Sequence, residues 1–219
     1  MEEPVIIPGD GITLEGRFQG GRGAGGVVLA HPHPLYGGSL DNNVVWTAAL
    51  AFEARGWATL RFNFRGVGLS TGTYGDGLAE VADLAAALKF LKTRTPGPYQ
   101  MVGYSFGAFV AARAMLQGVE ADGVLLISPP IALMDLSFLP QVPRLYLIVV
   151  GDRDGLCPLG DLQKLLAPAK PAPSPCPTAG RQAKAPELAV ITGADHFFGG
   201  REDQLFKVLR DSPLPPGAE

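Results

Sequence analysis

The sequence predicts an α/β domain in which a mainly parallel sheet carries helices on both faces. Three observations lead there. Short apolar runs alternate with helical patterns almost throughout the chain. Runs such as Val124-Leu125-Leu126-Ile127 show no in/out alternation, as expected of strands buried on both faces. A chain of 219 residues, 47% apolar and 18% charged, suffices for one substantial core and is cramped for two, so 1–212 is read as a single domain.

The elements follow in order. Val5-Ile6-Ile7, the turn Pro8-Gly9-Asp10-Gly11 and the alternating segment from Ile12 to Phe18 predict an antiparallel hairpin. After the glycines at 20–26, strands are expected over 27–30, 59–64, 100–104, 123–128 and 145–150, with a sixth at 188–192; with the hairpin this makes about eight. Helices are expected over 44–55, stopped by Gly56, and over 106–117, stopped by Gly118. A third, over 78–92, puts Leu78, Val81, Leu84, Leu88 and Leu91 on one face, and a last one lies near 202–210. The proline-rich stretch 167–186 has no period and reads as a surface loop; 213–219 reads as a frayed tail.

Several classes are set aside by composition. A net charge of −3 with no long block of either sign lacks the footprint of a nucleic-acid or anionic-membrane binder. The opening Met1-Glu2-Glu3-Pro4 is acidic with no long apolar region behind it, which points to the cytoplasm. The longest aliphatic run, 145–150, falls far short of the roughly 20 residues of a membrane helix. Cys157 and Cys176 have no metal-ligand spacing and are expected as thiols, although a single bridge between them is open. No phosphate-cradling motif is present, and His31 and His33 lack an accompanying ligand cluster, so neither cofactor nor metal is expected. The expected partner is a small molecule.

Gly103-Tyr104-Ser105-Phe106-Gly107 fits G-x-S-x-G, a sharp strand-to-helix turn that lifts the serine hydroxyl above a sheet. Both glycines must be bare for the turn to close between neighbouring strand and helix. Chance supplies roughly 0.1 such motifs at this composition, and here an apolar strand precedes it and an alanine-rich helix follows. A serine hydroxyl needs a base to take its proton. Of three histidines, the chain order nucleophile, acid, histidine selects His196, in Gly193-Ala194-Asp195-His196-Phe197-Phe198. The carboxylate should follow the strand at 145–150, where Asp152 and Asp154 compete, and geometry read from sequence does not separate them. Two backbone N–H groups should face the developing oxyanion. One is expected from Phe106; the other from Ala30-His31-Pro32-His33-Pro34-Leu35-Tyr36, where the prolines have no N–H and Leu35 is the candidate with Tyr36 in reserve. His31 and His33 are read as bracing that loop.

Five segments together resemble a known family over nearly the whole chain. They are His31-Pro32-His33-Pro34 with Gly37-Gly38 and Asn42-Asn43-Val44-Val45, the run from Arg61 to Ser70, the turn at Ser105, Gly151-Asp152-Arg153-Asp154, and the segment around His196. The chain resembles the small, lidless α/β-hydrolases related to dienelactone hydrolases and to serine-aminopeptidase-like and acyl-esterase branches. The resemblance implies the α/β-hydrolase fold without a cap domain, and its G-x-x-D spacing favours Asp154 as the acid, leaving Asp152 to shape the turn or pair with Arg153. It also implies that Arg65 and Ser70 are scaffold. Two departures stand out: dienelactone hydrolases proper carry cysteine where this chain has Ser105, and the stretch 167–186 replaces a tidy helix-to-strand link.

The reading is therefore a serine hydrolase of carboxylic esters working through Ser105, His196 and Asp154. Only 129–144 is available for a lid, so an open cleft walled by Tyr36, Leu133, Leu136, Phe138 and Phe197 is expected, suited to short acyl chains. Aminopeptidase, amidase or thioesterase activity on the same residues is the alternative within enzymes. A non-catalytic small-molecule binder on the same fold is the alternative outside them.

Overall fold

A computed structural model describes residues 2–167 and 185–213, so the proline-rich stretch read as a loop, the tail and Cys176 lie essentially outside the described residues. Eight strands form one sheet: β1 (Glu3–Pro8), β2 (Thr13–Gln19), β3 (Gly26–Ala30), β4 (Ala58–Phe62), β5 (Tyr99–Tyr104), β6 (Gly123–Ile127), β7 (Leu145–Gly151) and β8 (Glu187–Ile191). Their order is β1-β2-β4-β3-β5-β6-β7-β8. β1 and β2 form the expected antiparallel hairpin and β2 joins β4 antiparallel, while every later pairing is parallel.

The helices are α1 (Asn43–Ala54), α2 (Glu80–Arg94), α3 (Phe106–Leu116), α4 (Leu159–Leu166) and α5 (Glu202–Asp211). They divide between the two faces because side chains alternate along each strand. On β5, Met101 enters the core beneath α2, α3 and α4 with Leu84, Phe106 and Leu162. Val102 and Tyr104 enter the opposite core beneath α1 and α5 with Phe52, Trp57 and Leu209. Each such fully buried aliphatic or aromatic side chain contributes roughly 1.5–3 kcal/mol of transfer free energy. β3, β4 and β6 are buried at every position. The unalternating sequences of β3 and β6 predict this, whereas β4 alternates and buries Thr59 and Arg61 as well.

The topology also locates a crevice. From β3 the chain moves to β4 on one side, then returns past β3 to β5 on the other. The connections leaving the carboxyl ends of β3 and β5 thus part in opposite directions, the position at which open α/β sheets bind ligands. The residues beyond those two ends are His31 and Ser105.

Two local features differ from expectation, and the link between β6 and β7 follows it. α4 was not anticipated: it is an eight-residue helix burying only Leu162, too short for a helical period to stand out. α2 begins two residues late, leaving Leu78 58% exposed, because the Glu80 carboxylate accepts the Gly75 and Gly77 amides, each at 2.8 Å, and holds them in a turn. Between β6 and β7 the only helical piece is a 3-10 turn, Leu139–Gln141, so there is no cap domain. No described helix is long and apolar enough to cross a membrane.

Candidate active site

Ser105 occupies the turn between β5 and α3 with φ 54° and ψ −118°. L residues avoid this region, at a cost of order 1–3 kcal/mol, so the surroundings must enforce it. The flanking glycines show how. A Cβ on Gly103 would lie 2.2 Å from the Gly107 carbonyl oxygen, and one on Gly107 would lie 2.3 Å from that of Ala30. Strand, turn and helix are thus pressed together backbone to backbone, with the start of α3 seated against the end of β3.

The expected partners converge on this hydroxyl. His196 Nε2 lies 2.9 Å from Ser105 Oγ, and its Nδ1 lies 2.9 and 3.0 Å from the two Asp154 oxygens. With Nδ1–H donating to the carboxylate, Nε2 is left to accept the serine proton. Asp154 Oδ1 also accepts the amides of Leu156 at 2.9 Å and Cys157 at 2.8 Å. Burial opposes ionisation of Asp154, but the His196 ring and the Cys157 amide prevail and hold the carboxyl below its ordinary value. All three residues are buried. Asp152 takes the turn-shaping place: its Oδ1 accepts the Gly193 amide at 2.6 Å, tying the carboxylate loop to the histidine loop.

The loop after β3 departs from expectation at both residues read as the second oxyanion donor. The Leu35 amide donates to His33 Nδ1 at 3.2 Å, and Leu35 is 67% exposed, so it is not the second oxyanion donor. The Tyr36 amide is also committed, to the His33 carbonyl at 3.1 Å. The His33 and Phe106 amides, by contrast, donate to no described residue, and both residues line the cleft. His31 and His33 do brace the loop. His31 Nδ1–H donates to the Pro32 carbonyl at 2.6 Å while Nε2 accepts the Phe64 amide at 3.0 Å, and burial lowers the ring's pKa to about 4.

Above Ser105 opens a cleft of about 540 Å³. Tyr36, Leu133 and Phe197 line it as expected. Leu136 and Phe138 do not. Leu136 is buried in the core, and Phe138 packs on Phe109 with ring centroids 6.1 Å apart, because the chain turns inward after Met134. Pro130, Met134 and Leu156 form that wall instead. Among the described lining residues there is no Asp, Glu, Lys or Arg.

Comparison with known proteins places the chain. The family described as serine aminopeptidase, S33, matches residues 43–153. The chain belongs to that family. An uncharacterized protein of Rickettsia prowazekii is 34% identical over 189 residues, covering 84% of this chain and 76% of that one. Among solved structures, an α/β serine hydrolase homologue from Coxiella burnetii aligns with a TM-score of 0.83 at 31% identity over 97% of both chains. A serine hydrolase without lid from Xanthomonas campestris aligns with a TM-score of 0.80 at 26% identity, over 95% of this chain and 92% of that one. This S33-family chain is an α/β hydrolase with the lidless architecture of those relatives.

Two contributions to the hydrolase site escaped the sequence. The Tyr104 hydroxyl donates to the His196 carbonyl at 2.9 Å and anchors the histidine loop from beneath. Asn43, at the start of α1, donates to the Phe197 carbonyl at 3.1 Å and secures that loop from the side. A tyrosine beside the serine on an inward-facing strand position is a signal for the first; nothing local signals the second. Arg65 pairs with Asp83 at 2.6 Å and Ser70 Oγ donates to the Asn63 carbonyl at 2.8 Å, both as scaffold.

Proposed function

We propose that this protein hydrolyses uncharged carboxylic esters through an acyl-enzyme on Ser105. The observation that carries the reading is the hydrogen-bonded sequence Ser105 Oγ, His196 Nε2, His196 Nδ1, Asp154, set at the floor of a cleft whose described walls bear no carboxylate and no fixed cation. Ser105 Oγ attacks the ester carbonyl as His196 takes its proton, and the Asp154 carboxylate stabilises the resulting imidazolium. The amides of Phe106 and His33 receive the oxyanion. Collapse returns the proton from His196 to the departing alcohol. A water deprotonated by His196 then attacks the acyl-enzyme, releasing the acid and restoring the serine.

The cleft argues against the peptidase activity in the family's description. An aminopeptidase must bind a free α-ammonium group, and a desolvated cation calls for a carboxylate partner. Asp154 is spent behind His196, and no other described acid reaches the cleft. Neutral acyl groups meet Leu133, Met134 and Leu156 without such a demand.

The test is a panel of p-nitrophenyl esters and aminoacyl p-nitroanilides on purified protein, with fluorophosphonate labelling and mass spectrometry. Esters are expected to turn over, the ammonium-bearing anilides to fail, and label to sit on Ser105. Ser105→Ala should lose on the order of 10⁶ in kcat. Label elsewhere, or ester hydrolysis surviving Ser105→Ala, overturns the mechanism; preferred cleavage of the anilides overturns the substrate class.

A further inference from the structure

The loop that carries the second oxyanion amide contains two prolines and lies at an open cleft, yet an oxyanion hole works only if its donors are held before the charge develops. What holds this one is written in the contacts of a single residue. His33 caps the 3-10 turn Pro34–Tyr36, and its Nδ1 accepts the Leu35 amide at 3.2 Å, the place usually filled by an Asn, Asp, Ser or Thr side chain. Its carbonyl accepts the amides of Tyr36 at 3.1 Å and Gly38 at 3.0 Å. Its Nε2 meets the Tyr74 hydroxyl at 3.1 Å. Every polar group of His33 is thus committed to a described partner except the backbone N–H beside the cleft.

The ring also sets the distance to the other donor. Its centroid lies 4.9 Å from that of Phe106 and 5.1 Å from that of Tyr74, and Tyr74 packs on Phe106 at 5.8 Å. The side chains of the two donor residues therefore rest on each other, with Tyr74 across both. Tyr74 is itself fixed, since the next residues, Gly75 and Gly77, give their amides to the buried Glu80 carboxylate. Because Nδ1 accepts a backbone N–H, the ring proton sits on Nε2 and is donated to Tyr74, an arrangement that requires a neutral ring. Burial lowers the pKa of His33 against the pull of Glu80 and Asp76, in keeping with that neutrality.

We infer that the side chains of His33 and Tyr74 are positioning residues for the oxyanion hole: the imidazole, latched between the Leu35 amide and the Tyr74 hydroxyl, holds its own backbone N–H in register with that of Phe106. The inference rests on the serine-hydrolase reading above.

Ester hydrolysis by four variants tests it, with Ser105→Ala as the reference that isolates the underlying reading. An asparagine oxygen occupies the place of Nδ1 and can cap Leu35, whereas a glutamine oxygen occupies the place of Nε2 and cannot. His33→Ala and His33→Gln are each expected to lower kcat by about 10- to 100-fold with KM within about 3-fold, a loss realised in the transition state. His33→Asn should recover to within a few-fold of wild type, and Tyr74→Phe should lose a few-fold in kcat alone. Thermal melts report folding; if His33→Ala does not fold, the Asn and Gln pair decides. A wild-type kcat in His33→Ala, a loss confined to KM, or Asn no better than Gln overturns the positioning role while Ser105→Ala remains dead. Activity persisting in Ser105→Ala overturns the reading beneath it.

Discussion

His31 is a histidine whose surroundings forbid its charge. It is fully buried, it accepts the Phe64 amide through Nε2, and its pKa is lowered to about 4 from 6.5. Between those values the unfolded chain binds a proton that the folded chain refuses, so folding loses stability as pH falls through the window. The loss is absent well above pH 6.5 and amounts to on the order of 3 kcal/mol by pH 4. Asp154, held below 3.8, adds its own loss only in more acid solution. Urea denaturation at pH 7 and pH 4.5 should show the fall in wild type and a flatter response in His31→Gln, whose amide oxygen can still accept the Phe64 N–H but does not titrate. Equal slopes in the two proteins would exclude His31 as the source. The sequence singled out His196 by chain order, and its loop now sits against Ser105. It could not assign separate partners to His31 and His33, because those are an amide 33 residues away and a hydroxyl 41 residues away. For the same reason eliminating the prolines points to Leu35, whose amide is claimed by the His33 ring only once the loop has folded.

The unit formed by β5, the turn at Ser105 and α3 is held by contacts between backbones, which cannot rotate aside as side chains do. Gly107→Ala would drive a methyl to 2.3 Å from the Ala30 carbonyl oxygen. Overpacking of this kind costs about 3 kcal/mol, and for a chain this size that is a fall in Tm of roughly 6–12 °C. The start of α3 would also move off β3, taking the Phe106 amide with it, so activity should be lost even at temperatures where the variant is folded. Gly160 in α4 is the control: a Cβ there meets nothing within 4 Å, and Gly160→Ala should leave activity intact and raise stability by about 0.5–1 kcal/mol. Calorimetry and ester assays on the pair decide the matter; a Gly107→Ala protein with wild-type Tm and activity would remove the steric argument. The strands and long helices were legible because their periodicity is local and their stops are glycines. The start of α2 was not, because Glu80 binds two amides upstream, and α4 was not, because two turns with one buried leucine carry too little pattern.

The parallel sheet and its two helical faces could be read from the alternation of elements, whereas the strand order, and with it the crevice between the ends of β3 and β5, is set by pairings between distant segments that no local pattern carries. The openness of that crevice has a kinetic consequence. The segment 129–144, where a lid could have stood, is folded into the body: the Ala132 amide donates to the Leu156 carbonyl at 3.1 Å, and Leu136 and Leu139 are buried. Nothing in it is poised to lift away, so the cleft is preformed and the rate should follow the concentration of dissolved substrate. Within the cleft each added methylene that reaches Leu133, Met134 or Leu156 gains about 0.8 kcal/mol, roughly a 4-fold rise in kcat/KM. A methylene that extends past the wall stays in water and gains nothing. Across p-nitrophenyl esters kcat/KM should therefore climb by about that factor per carbon from acetate, level once the roughly 540 Å³ space is filled, and fail to climb again for palmitate. The rate should also pass through the solubility limit of a short-chain ester without a jump. A maximum at palmitate, or a sharp rise when substrate droplets form, would mean that a larger apolar surface is uncovered during turnover than this fold presents.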